Sequence, residues 1–270
     1  MTVTIARKIF DIMMDSIIRP LPVRGKFRLL SRRVMKMGTV SARVHGWRMQ
    51  LDLGDLIHRG MYLGSFEMAE TRWVRSTLKA GDTAIDIGAN CGWYTSLFSQ
   101  LCGANGRVIA VDANPHLSSR LQQCIQSNRI ENVEVICAGA SNCEGEIKLY
   151  IPPYGNEDAT MAIVEGWTEV IVPLVTLDRE LMKRNVEKIR LVKIDVEGHE
   201  LKVLQGMKSF LSAGRVEYLL MEFNDYWLRQ QGTSQEELAA YCKSLGFEGQ
   251  FNGTPIPKNS FANIVFKYRS

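Results

Sequence analysis

Several features are missing from this 270-residue chain, and each absence narrows its class. No apolar run approaches the roughly 18 residues that a transmembrane helix needs. None of the six cysteines forms a Cys-x-x-Cys pair or a cysteine–histidine cluster, so neither a zinc site nor a redox motif is predicted. Cys137 lies in an apolar run, where a reduced thiol behaves as a small hydrophobe. We therefore expect a reducing, cytoplasmic compartment.

Acidic residues are absent from the segment between Ser16 and Leu51. That segment carries nine basic residues, namely Arg19, Arg24, Lys26, Arg28, Arg32, Arg33, Lys36, Arg43 and Arg48. Because the whole chain has a formal charge of only +4, the remainder is net acidic. A basic arm on an acidic body favours an anionic partner surface, such as lipid, a glycolipid or an acidic protein. A solvated basic face without a partner is the alternative.

The start of the chain predicts an amphipathic helix. Apolar residues recur there at every fourth position, namely Ile5, Ile9, Met13 and Ile17. Asp11 and Asp15 interrupt the apolar run, so a signal peptide is not expected, and Pro20 ends the helix. We expect this helix to dock onto the body or onto a second subunit. Peripheral membrane contact is the alternative, and the oligomeric state stays open.

The rest of the chain alternates between strand-like and helix-like segments. Residues 40–53 predict a β-hairpin around His45-Gly46, and residues 65–79 predict a helix. Apolar strands are predicted at 83–88, 107–112, 133–138, 189–195, 216–223 and 261–268. Helices are predicted at 92–101, 115–127 and 200–211, with another opened by the capping box that starts at Ser234.

This alternation predicts an α/β fold with a doubly wound, largely parallel sheet. The segment from Cys143 to Leu177 breaks the rhythm, and we expect extra strands at 146–151 and 168–174 with a mobile loop between them. Ligands of such sheets bind beyond the carboxyl ends of the strands. The candidates for a site are therefore the residues that follow Ile87, Val111, Ala138, Ile194 and Met221.

The first of these strand ends carries the loop Asp86-Ile87-Gly88-Ala89-Asn90-Cys91-Gly92. Its glycines allow a sharp turn and a close approach to a ligand. The spacing differs from the Gly-x-Gly-x-x-Gly of dinucleotide sites, and an aspartate precedes the first glycine. S-adenosylmethionine has an amino-acid end and no phosphate, so an acid beside the loop suits its ammonium group. The loop therefore predicts binding of S-adenosylmethionine.

A second acid, Asp112, ends the next predicted strand. An acid at this position accepts hydrogen bonds from ribose hydroxyls. Asn114-Pro115 after it is typical of the first residues of a helix. A purely structural role, in which Asp86 and Asp112 cap helices, is the alternative interpretation.

These motifs resemble the FkbM-like methyltransferases from about Tyr62 to Tyr268. The resemblance rests on Gly64-Ser65-Phe66-Glu67, Asp86–Gly92, Val111-Asp112-Ala113-Asn114-Pro115, Asn128 with Asn132, Ala140-Ser141 before Gly145, Thr176-Leu177-Asp178 and Lys193-Ile194-Asp195-Val196-Glu197-Gly198-His199-Glu200. It implies a class I, Rossmann-like methyltransferase domain at 61–270, with seven strands of which the last is antiparallel, behind an N-terminal helical and hairpin extension at 1–60. The sequence departs from the family pattern at Asp112-Ala113, where glutamate-proline is usual, and at His199, where a small residue is common.

The resemblance also implies a cofactor site and transfer of a methyl group to a hydroxyl, often on a sugar or a polyketide-like natural product. Residues carried over to the S-adenosylmethionine site are Glu67, Asp86, Gly88, Asn90, Gly92, Asp112, Ala113, Ala140 and Ser141. The expected acceptor is a sugar, a glycolipid or another small molecule, and no nucleic acid partner is expected.

The last motif predicts a second cluster of polar residues. Lys193 interrupts a strand that otherwise predicts burial, and Asp195 lies on the same side of it, so we expect an ion pair. Glu197 and Glu200 are predicted in the first turn of the following helix, where the helix dipole favours carboxylates. Candidate catalytic residues are Lys193 with Asp195, Glu197 and His199, the last three being candidate bases in that order.

Other interpretations stay open at this point. Asp195, Glu222 and Asn224 lie at the ends of adjacent predicted strands, and their oxygens suit Mg²⁺, although strand-end roles are favoured and no metal is assigned. A nucleic-acid methyltransferase, a nicotinamide oxidoreductase and a non-catalytic binding module are the alternative functions. The arm lacks regularly interleaved aromatic residues for base stacking, which counts against the first of these alternatives.

Overall fold

A computed structural model describes residues 38–152, 166–250 and 261–269. Its contacts divide the chain into two units, Met1–Val74 and Arg75–Ser270. The predicted amphipathic helix, the basic arm as far as Lys36 and most of the loop predicted between the two extra strands lie outside the described residues. Among the helices within those three ranges, none combines the length and the apolar character that crossing a bilayer requires.

The described part of the first unit begins with the predicted hairpin. Its elements are β1 (Thr39–Val44), β2 (Trp47–Asp52), α1 (Leu56–Leu63) and the start of α2 (Met68–Thr77). The strands are antiparallel, and Trp47 and Leu51 are buried on one face. Helix α1 was not predicted; it begins after Asp55, whose Oδ1 accepts from the amide of His58 at 2.8 Å. The helix predicted from residue 65 begins only at Met68.

The second unit contains the large sheet. Its strands in chain order are β3 (Thr83–Ile87), β4 (Arg107–Asp112), β5 (Val133–Cys137), β6 (Gly139–Ala140), β7 (Gly145–Ile151), β8 (Thr168–Val175), β9 (Ile189–Ile194), β10 (Val216–Asn224), β11 (Phe247–Gln250) and β12 (Phe261–Tyr268). Seven of them form one sheet in the order β11-β12-β10-β9-β3-β4-β5. Strand β12 runs antiparallel to β10 and β11, and the other neighbouring strands of this sheet are parallel. The expected seven-stranded class I methyltransferase fold with an antiparallel last strand is confirmed.

Helices connect these strands. They are α3 (Trp93–Cys102), α4 (Pro115–Ser127), α5 (Leu177–Lys183), α6 (Glu200–Gly206), α7 (Lys208–Ser212), α8 (Asp225–Gln230) and α9 (Gln235–Ser244). The capping box predicted at Ser234 is present, with its hydroxyl accepting from the amide of Glu237. The single helix predicted at 200–211 is wrong, because it is divided at Met207. A Cβ on Gly206 would lie 1.9 Å from the carbonyl oxygen of Ser141, so this turn packs directly against backbone.

The core explains why the central strands are almost continuously apolar. Ile85, Ile109, Val192 and Leu219, from four adjacent strands, are each fully buried. A parallel sheet covered by helices on both faces excludes water from both sides of its strands, which favours branched apolar residues. A charged residue in these strands, such as Asp86 or Lys193, therefore needs a specific partner or function.

The segment predicted to carry extra strands forms a second, smaller sheet of order β6-β8-β7. Strand β7 pairs antiparallel with β8, and the two-residue β6 pairs parallel with it. Leu149, Ile151 and Val172 bury a small apolar cluster, against which Ala113 packs. This sheet therefore adjoins the end of β4, where Asp112 is found.

Candidate active site

The carboxyl ends of β4, β3, β9 and β10 lie side by side at the middle of the sheet. The chain order reverses here, because β3 has the later β4 on one side and β9 on the other. Ligands of doubly wound sheets bind in the crevice at such a switch point. The fold thus brings the loops after residues 87, 112, 194 and 224 to one edge.

The loop after β3 has the backbone that its glycines predicted. Gly88, Asn90 and Gly92 have φ values of 78°, 48° and 84°, all in the left-handed region. The amides of Gly88 and Ala89 donate to the carbonyl of Val111, at 2.8 and 3.1 Å, so the loop is tied to the end of β4. Oδ1 of Asn90 is buried and has no hydrogen-bond partner among the described residues. An orphaned buried acceptor in this loop is available to a bound donor.

Gly88 is required by a neighbouring loop as well as by the turn. A Cβ at this position would lie 1.8 Å from the carbonyl oxygen of Asp195. The amide of Asp195 donates to the carbonyl of Ile87 at 3.0 Å. The loop after β3 and the turn after β9 are therefore in direct backbone contact, which places Asp195 beside the proposed cofactor loop.

Asp86, near the end of β3, is 1% exposed. Its Oδ2 accepts from the hydroxyl of Thr95 in α3, at 2.5 Å. Burial raises the pKa of this carboxyl from 3.8 to about 6, although the Thr95 hydroxyl and the charge of Lys193 oppose the shift. A buried carboxylate kept despite that energetic cost is typical of functional sites.

Asp112 holds two parts of the edge together. Its Oδ2 accepts from the amide of Asn90 at 2.7 Å, and its Oδ1 accepts from the amide of Asn114 at 2.8 Å. Burial raises its pKa to about 6, while both backbone hydrogen bonds favour the charged form. Asn114 in turn caps α4, as predicted, by accepting from the amide of His116. The carboxylate therefore shapes the loop, and its remaining lone pairs are free to accept from a ligand.

The other carried-over cofactor residues lie in three places. Ala113 packs between Asp112 and the small sheet. Ala140 ends β6, and the buried Ser141 donates its amide to the carbonyl of Val175. Glu67 lies in the first unit, directly before α2, with φ 39°. No measurement of the structure assigns a ligand to these residues, and their roles stay predictions.

Lys193 forms the ion pair that its position in β9 predicted. Its ammonium lies 2.9 Å from Oδ2 of Asp195, and Lys193 itself is 1% exposed. The same Nζ lies 3.5 Å from Oδ1 of Asn263 in β12 and 5.4 Å from the centre of the Tyr94 ring. Asp86 is its register partner on β3. This buried cation thus connects the cofactor side of the edge with Asp195.

Glu222 belongs to the same face of the sheet; the sequence indicated it only as a possible metal ligand at a strand end, and did not predict its place beside Lys193. It is two residues beyond Leu220, the register partner of Lys193, and it pairs with Asn263. Burial raises its pKa to about 8, and the nearby charge of Asp195 adds to the shift. The available signal was the one used for Lys193, namely a charge inside the apolar run of β10.

The turn between β9 and α6 differs from the prediction. Glu197 is not in the first turn of the helix, because α6 begins at Glu200, and Glu197 has a φ of 48° in the preceding turn. His199 is the residue before the helix, and its Nε2 is buried without a hydrogen-bond partner in the described part. Burial, with a smaller contribution from Lys202, lowers its pKa to about 4. His199 is therefore a neutral imidazole at neutral pH.

Asp195, Glu222 and Asn224 were considered above as possible ligands of Mg²⁺. Within residues 38–152, 166–250 and 261–269, no three histidine, cysteine or acidic residues are grouped to hold an ion. His116, the other histidine near this edge in sequence, is exposed on α4.

Comparison with known sequences decides the family. The profile of the methyltransferase FkbM domain matches residues 86–248, which is more than half of the chain. This chain belongs to the FkbM methyltransferase family. Its methyltransferase domain takes S-adenosylmethionine as cofactor.

Individual relatives of this FkbM methyltransferase are distant. It is 28% identical over 144 residues to the hexuronic acid methyltransferase AglP of Haloferax volcanii, covering 53% of this chain and 56% of that protein. It is 29% identical over 82 residues to a protein-L-isoaspartate O-methyltransferase of Methanococcus aeolicus, covering 29% of this chain and 38% of that one. The match thus spans about half or less of these curated relatives. A solved FkbM methyltransferase from Methylobacillus flagellatus is 14% identical, with TM-score 0.48, over 90% of this chain and 58% of that chain.

The residues at the edge fit S-adenosylmethionine by their chemistry. The cofactor presents an ammonium group and ribose hydroxyls, which are hydrogen-bond donors. Asp86, Asp112 and the orphaned Oδ1 of Asn90 are acceptors on adjacent strand ends. A ligand that places a phosphate group here would be repelled by the carboxylates of Asp86 and Asp112.

We expect Asp86→Asn to increase the stability of the ligand-free protein at neutral pH. The pKa of Asp86 is about 6 in the folded protein in place of 3.8, so ionising this carboxyl costs the folded protein about 3 kcal/mol of stability. Because the pKa of Asp86 is higher in the folded than in the unfolded protein, the free energy of unfolding of the wild type falls by this amount as the pH rises from about 4 to about 6. It stays at the lower value at higher pH. Asparagine keeps an acceptor for Thr95 and does not ionise.

The measurement is urea unfolding of both proteins between pH 4 and pH 8. The difference in unfolding free energy is predicted to grow in favour of the variant up to about pH 6 and then to stay constant. Glu131→Gln, at an exposed position, is the control and should show a constant difference throughout. A constant difference for Asp86→Asn as well would contradict the assignment of a costly buried carboxylate.

Proposed function

We propose that this methyltransferase transfers the methyl group of S-adenosylmethionine to a hydroxyl of a sugar, a glycolipid or a related natural product. The observation that carries the proposal is the position of Asp195. Its carboxylate is paired with the buried Lys193, its backbone contacts the loop after β3, and its side chain is 34% exposed. A proton acceptor that is fixed on one side and accessible on the other is suited to an incoming hydroxyl.

Bound S-adenosylmethionine supplies an electrophilic methyl group on a sulfonium, which needs no further activation by the protein. The chain's own residues must orient the two reactants and take up the hydroxyl proton. Asp86 and Asp112 are proposed to accept from the ammonium group and the ribose, and Asn90 to add a further acceptor. Alignment of this kind is worth about 7–11 kcal/mol in favourable cases.

Among the candidate bases, the geometry supports the order Asp195, Glu197, His199. Asp195 has a fixed cationic partner at 2.9 Å. Glu197 lies in the same turn, two residues further along. The pKa of His199 is lowered to about 4, and its Nε2 is enclosed by protein, so it is a weak acceptor of limited access.

The charges at the edge support a neutral acceptor. The charges of Asp195 and Glu197 act on Glu222, and burial together with this repulsion raises the pKa of Glu222 to about 8, although Lys193 opposes the shift. A sugar carboxylate placed there would add to this repulsion. The aromatic pair Tyr226 and Trp227 begins α8 at the same edge, with ring centres 4.9 Å apart, and offers apolar faces to a sugar ring.

The test is methyl transfer to matched acceptors. We expect formation of S-adenosylhomocysteine with neutral hexosides, with the new methyl on oxygen by NMR, and a kcat/KM at least tenfold higher than for the corresponding uronic acids. The relative named as a hexuronic acid methyltransferase supports a sugar acceptor and makes this comparison informative. Methylation confined to nitrogen or carbon, or a preference for the uronic acids, would contradict the proposal.

A further inference from the structure

The turn that carries the candidate bases is held in a strained conformation. Between β9 and α6, Glu197 has a φ of 48° and Gly198 a φ of 96°. A residue other than glycine in the left-handed region costs of order 1 kcal/mol or more, and it persists only where its surroundings enforce it. Residues 195–199 therefore need contacts that fix their backbone.

Two of those contacts come from tight packing. A Cβ on Gly88 would lie 1.8 Å from the carbonyl oxygen of Asp195, on the side of the cofactor loop. On the other side, a Cβ on Gly198 would lie 2.4 Å from the carbonyl oxygen of Trp227 in α8. The turn is thus enclosed between two backbone segments, and only glycine fits at either boundary.

The third contact is the side chain of Glu200, which folds back over the turn. Its Oε1 accepts from the amide of Val196 at 3.3 Å and from the amide of Gly198 at 3.2 Å. These are the amides on either side of the left-handed Glu197. Glu200 thus closes the turn from inside. Among the described residues, no backbone carbonyl accepts from the amides of Val196 and Gly198, so the carboxylate is their acceptor.

Burying the carboxyl group of Glu200 in this turn is energetically unfavourable. The residue is 1% exposed, and its Oε2 is buried with no hydrogen-bond partner in the described part of the chain. Burial raises its pKa to about 7, and the charge of Asp195 adds to the shift. Helix α9 is capped at lower cost by Ser234 and the exposed Glu237. A costly carboxylate next to Asp195 indicates a purpose other than capping.

We propose that Glu200 is a positioning residue for methyl transfer, holding the backbone of Val196 and Gly198 so that Asp195 and Glu197 face the acceptor hydroxyl. The proposal rests on the proposed function of the same site. Glu200 is enclosed and acts through the turn, so it is not itself a catalytic residue. An error of about 1 Å in the position of a catalytic group costs about 10²-fold in rate.

The test compares Glu200→Gln with Glu200→Ala in the full chain. Glutamine keeps an acceptor oxygen for the two amides, whereas alanine removes it. We expect Glu200→Ala to lower kcat about 10²-fold, with KM for the acceptor and Kd for S-adenosylhomocysteine changed by less than about threefold. Glu200→Gln should restore kcat to within about fivefold of wild type. A merely structural role would lower apparent kcat only through the folded fraction, so kcat is expressed per folded enzyme, counted from the stoichiometry of S-adenosylhomocysteine binding; a wild-type value per folded enzyme would overturn the positioning role.

Glu237 provides a matched control. Its Oε2 accepts from the backbone amide of Ser234 at 3.0 Å, so Glu237→Ala also removes a carboxylate from a backbone donor, but at α9. Its kinetics should stay at wild-type values. Wild-type kcat in Glu200→Ala, or equal losses in the alanine and glutamine variants, would overturn the positioning role.

Hydrogen exchange separates this proposal from the proposed function. The amides of Val196 and Gly198 should exchange faster in Glu200→Ala than in the wild type and in Glu200→Gln. If the wild type methylates no sugar hydroxyl, the proposed function fails, and the exchange rates still decide whether Glu200 holds the turn. Unchanged exchange in Glu200→Ala would overturn the inference by itself.

Discussion

Asp195→Asn is expected to lower kcat by about 10²–10⁴-fold, the usual contribution of a positioned general base. Asparagine has the size of aspartate and keeps an acceptor oxygen for the ammonium of Lys193, now 2.9 Å from Oδ2. The backbone contact between Asp195 and Gly88 is also retained, since it involves the main chain. The variant removes the proton acceptor and also the negative charge that compensates the buried ammonium of Lys193, so the folded fraction is measured together with turnover. Steady-state turnover of the neutral acceptor measures the effect.

The control for this variant is the affinity for S-adenosylhomocysteine, which should change by less than about threefold. Glu131→Gln, a change of acid to amide at an exposed position, should leave turnover unaffected. If Asp195→Asn retained wild-type turnover, Asp195 would not be the base. The next experiment would then be the same substitution at Glu197.

Asp112→Ala is expected to weaken binding of S-adenosylmethionine at least 10²-fold. The carboxylate accepts from the amides of Asn90 and Asn114, at 2.7 and 2.8 Å, and hydrogen bonds to a charged group contribute about 1.5–3 kcal/mol each. Alanine releases the cofactor loop and also removes the proposed ribose acceptor. Calorimetric titration measures the change in Kd.

The same carboxylate predicts the pH dependence of binding. Because the pKa of Asp112 is raised to about 6, the group is ionised at pH 7 and gains a proton as the pH falls through about 6. A protonated carboxyl accepts hydrogen bonds less well, so affinity should fall in that range.

Asp178 provides the matched control for Asp112. It also accepts from two backbone amides, those of Ser209 at 2.8 Å and Phe210 at 3.1 Å, at the start of α7. Asp178→Ala should therefore lower stability by a comparable amount and leave cofactor affinity unchanged. Equal loss of affinity in both variants would indicate a general effect of instability and would contradict a specific role for Asp112.

Much of the fold was accessible from the sequence because its signals are local. The hairpin around His45-Gly46 follows from alternation and turn residues, and the strands β3 and β4 follow from short apolar runs. The division between α6 and α7 was not accessible. At this point Gly206 packs directly against the backbone of Ser141, which is distant in sequence.

The sequence predicted which strand ends carry the polar residues, but it did not predict the contacts between residues of different strands or the shape of the turn after β9. Asp86 and Asp112 follow from their positions at strand ends, and the pair of Lys193 with Asp195 follows from the two-residue repeat of a strand. Glu222 joins them only through the order of β9, β10 and β12. The left-handed turn at Glu197, closed by Glu200, has no local signal that distinguishes it from the start of a helix.

The central claim is that the edge formed by Asp86, Asn90 and Asp112 binds S-adenosylmethionine. The most direct measurement is calorimetric titration of the wild type and of Asp112→Ala with S-adenosylmethionine, S-adenosylhomocysteine and NAD. The account predicts micromolar binding of both sulfur ligands by the wild type, loss of both in the variant, and no binding of NAD. Failure of a well-folded wild type to bind either sulfur ligand would contradict it.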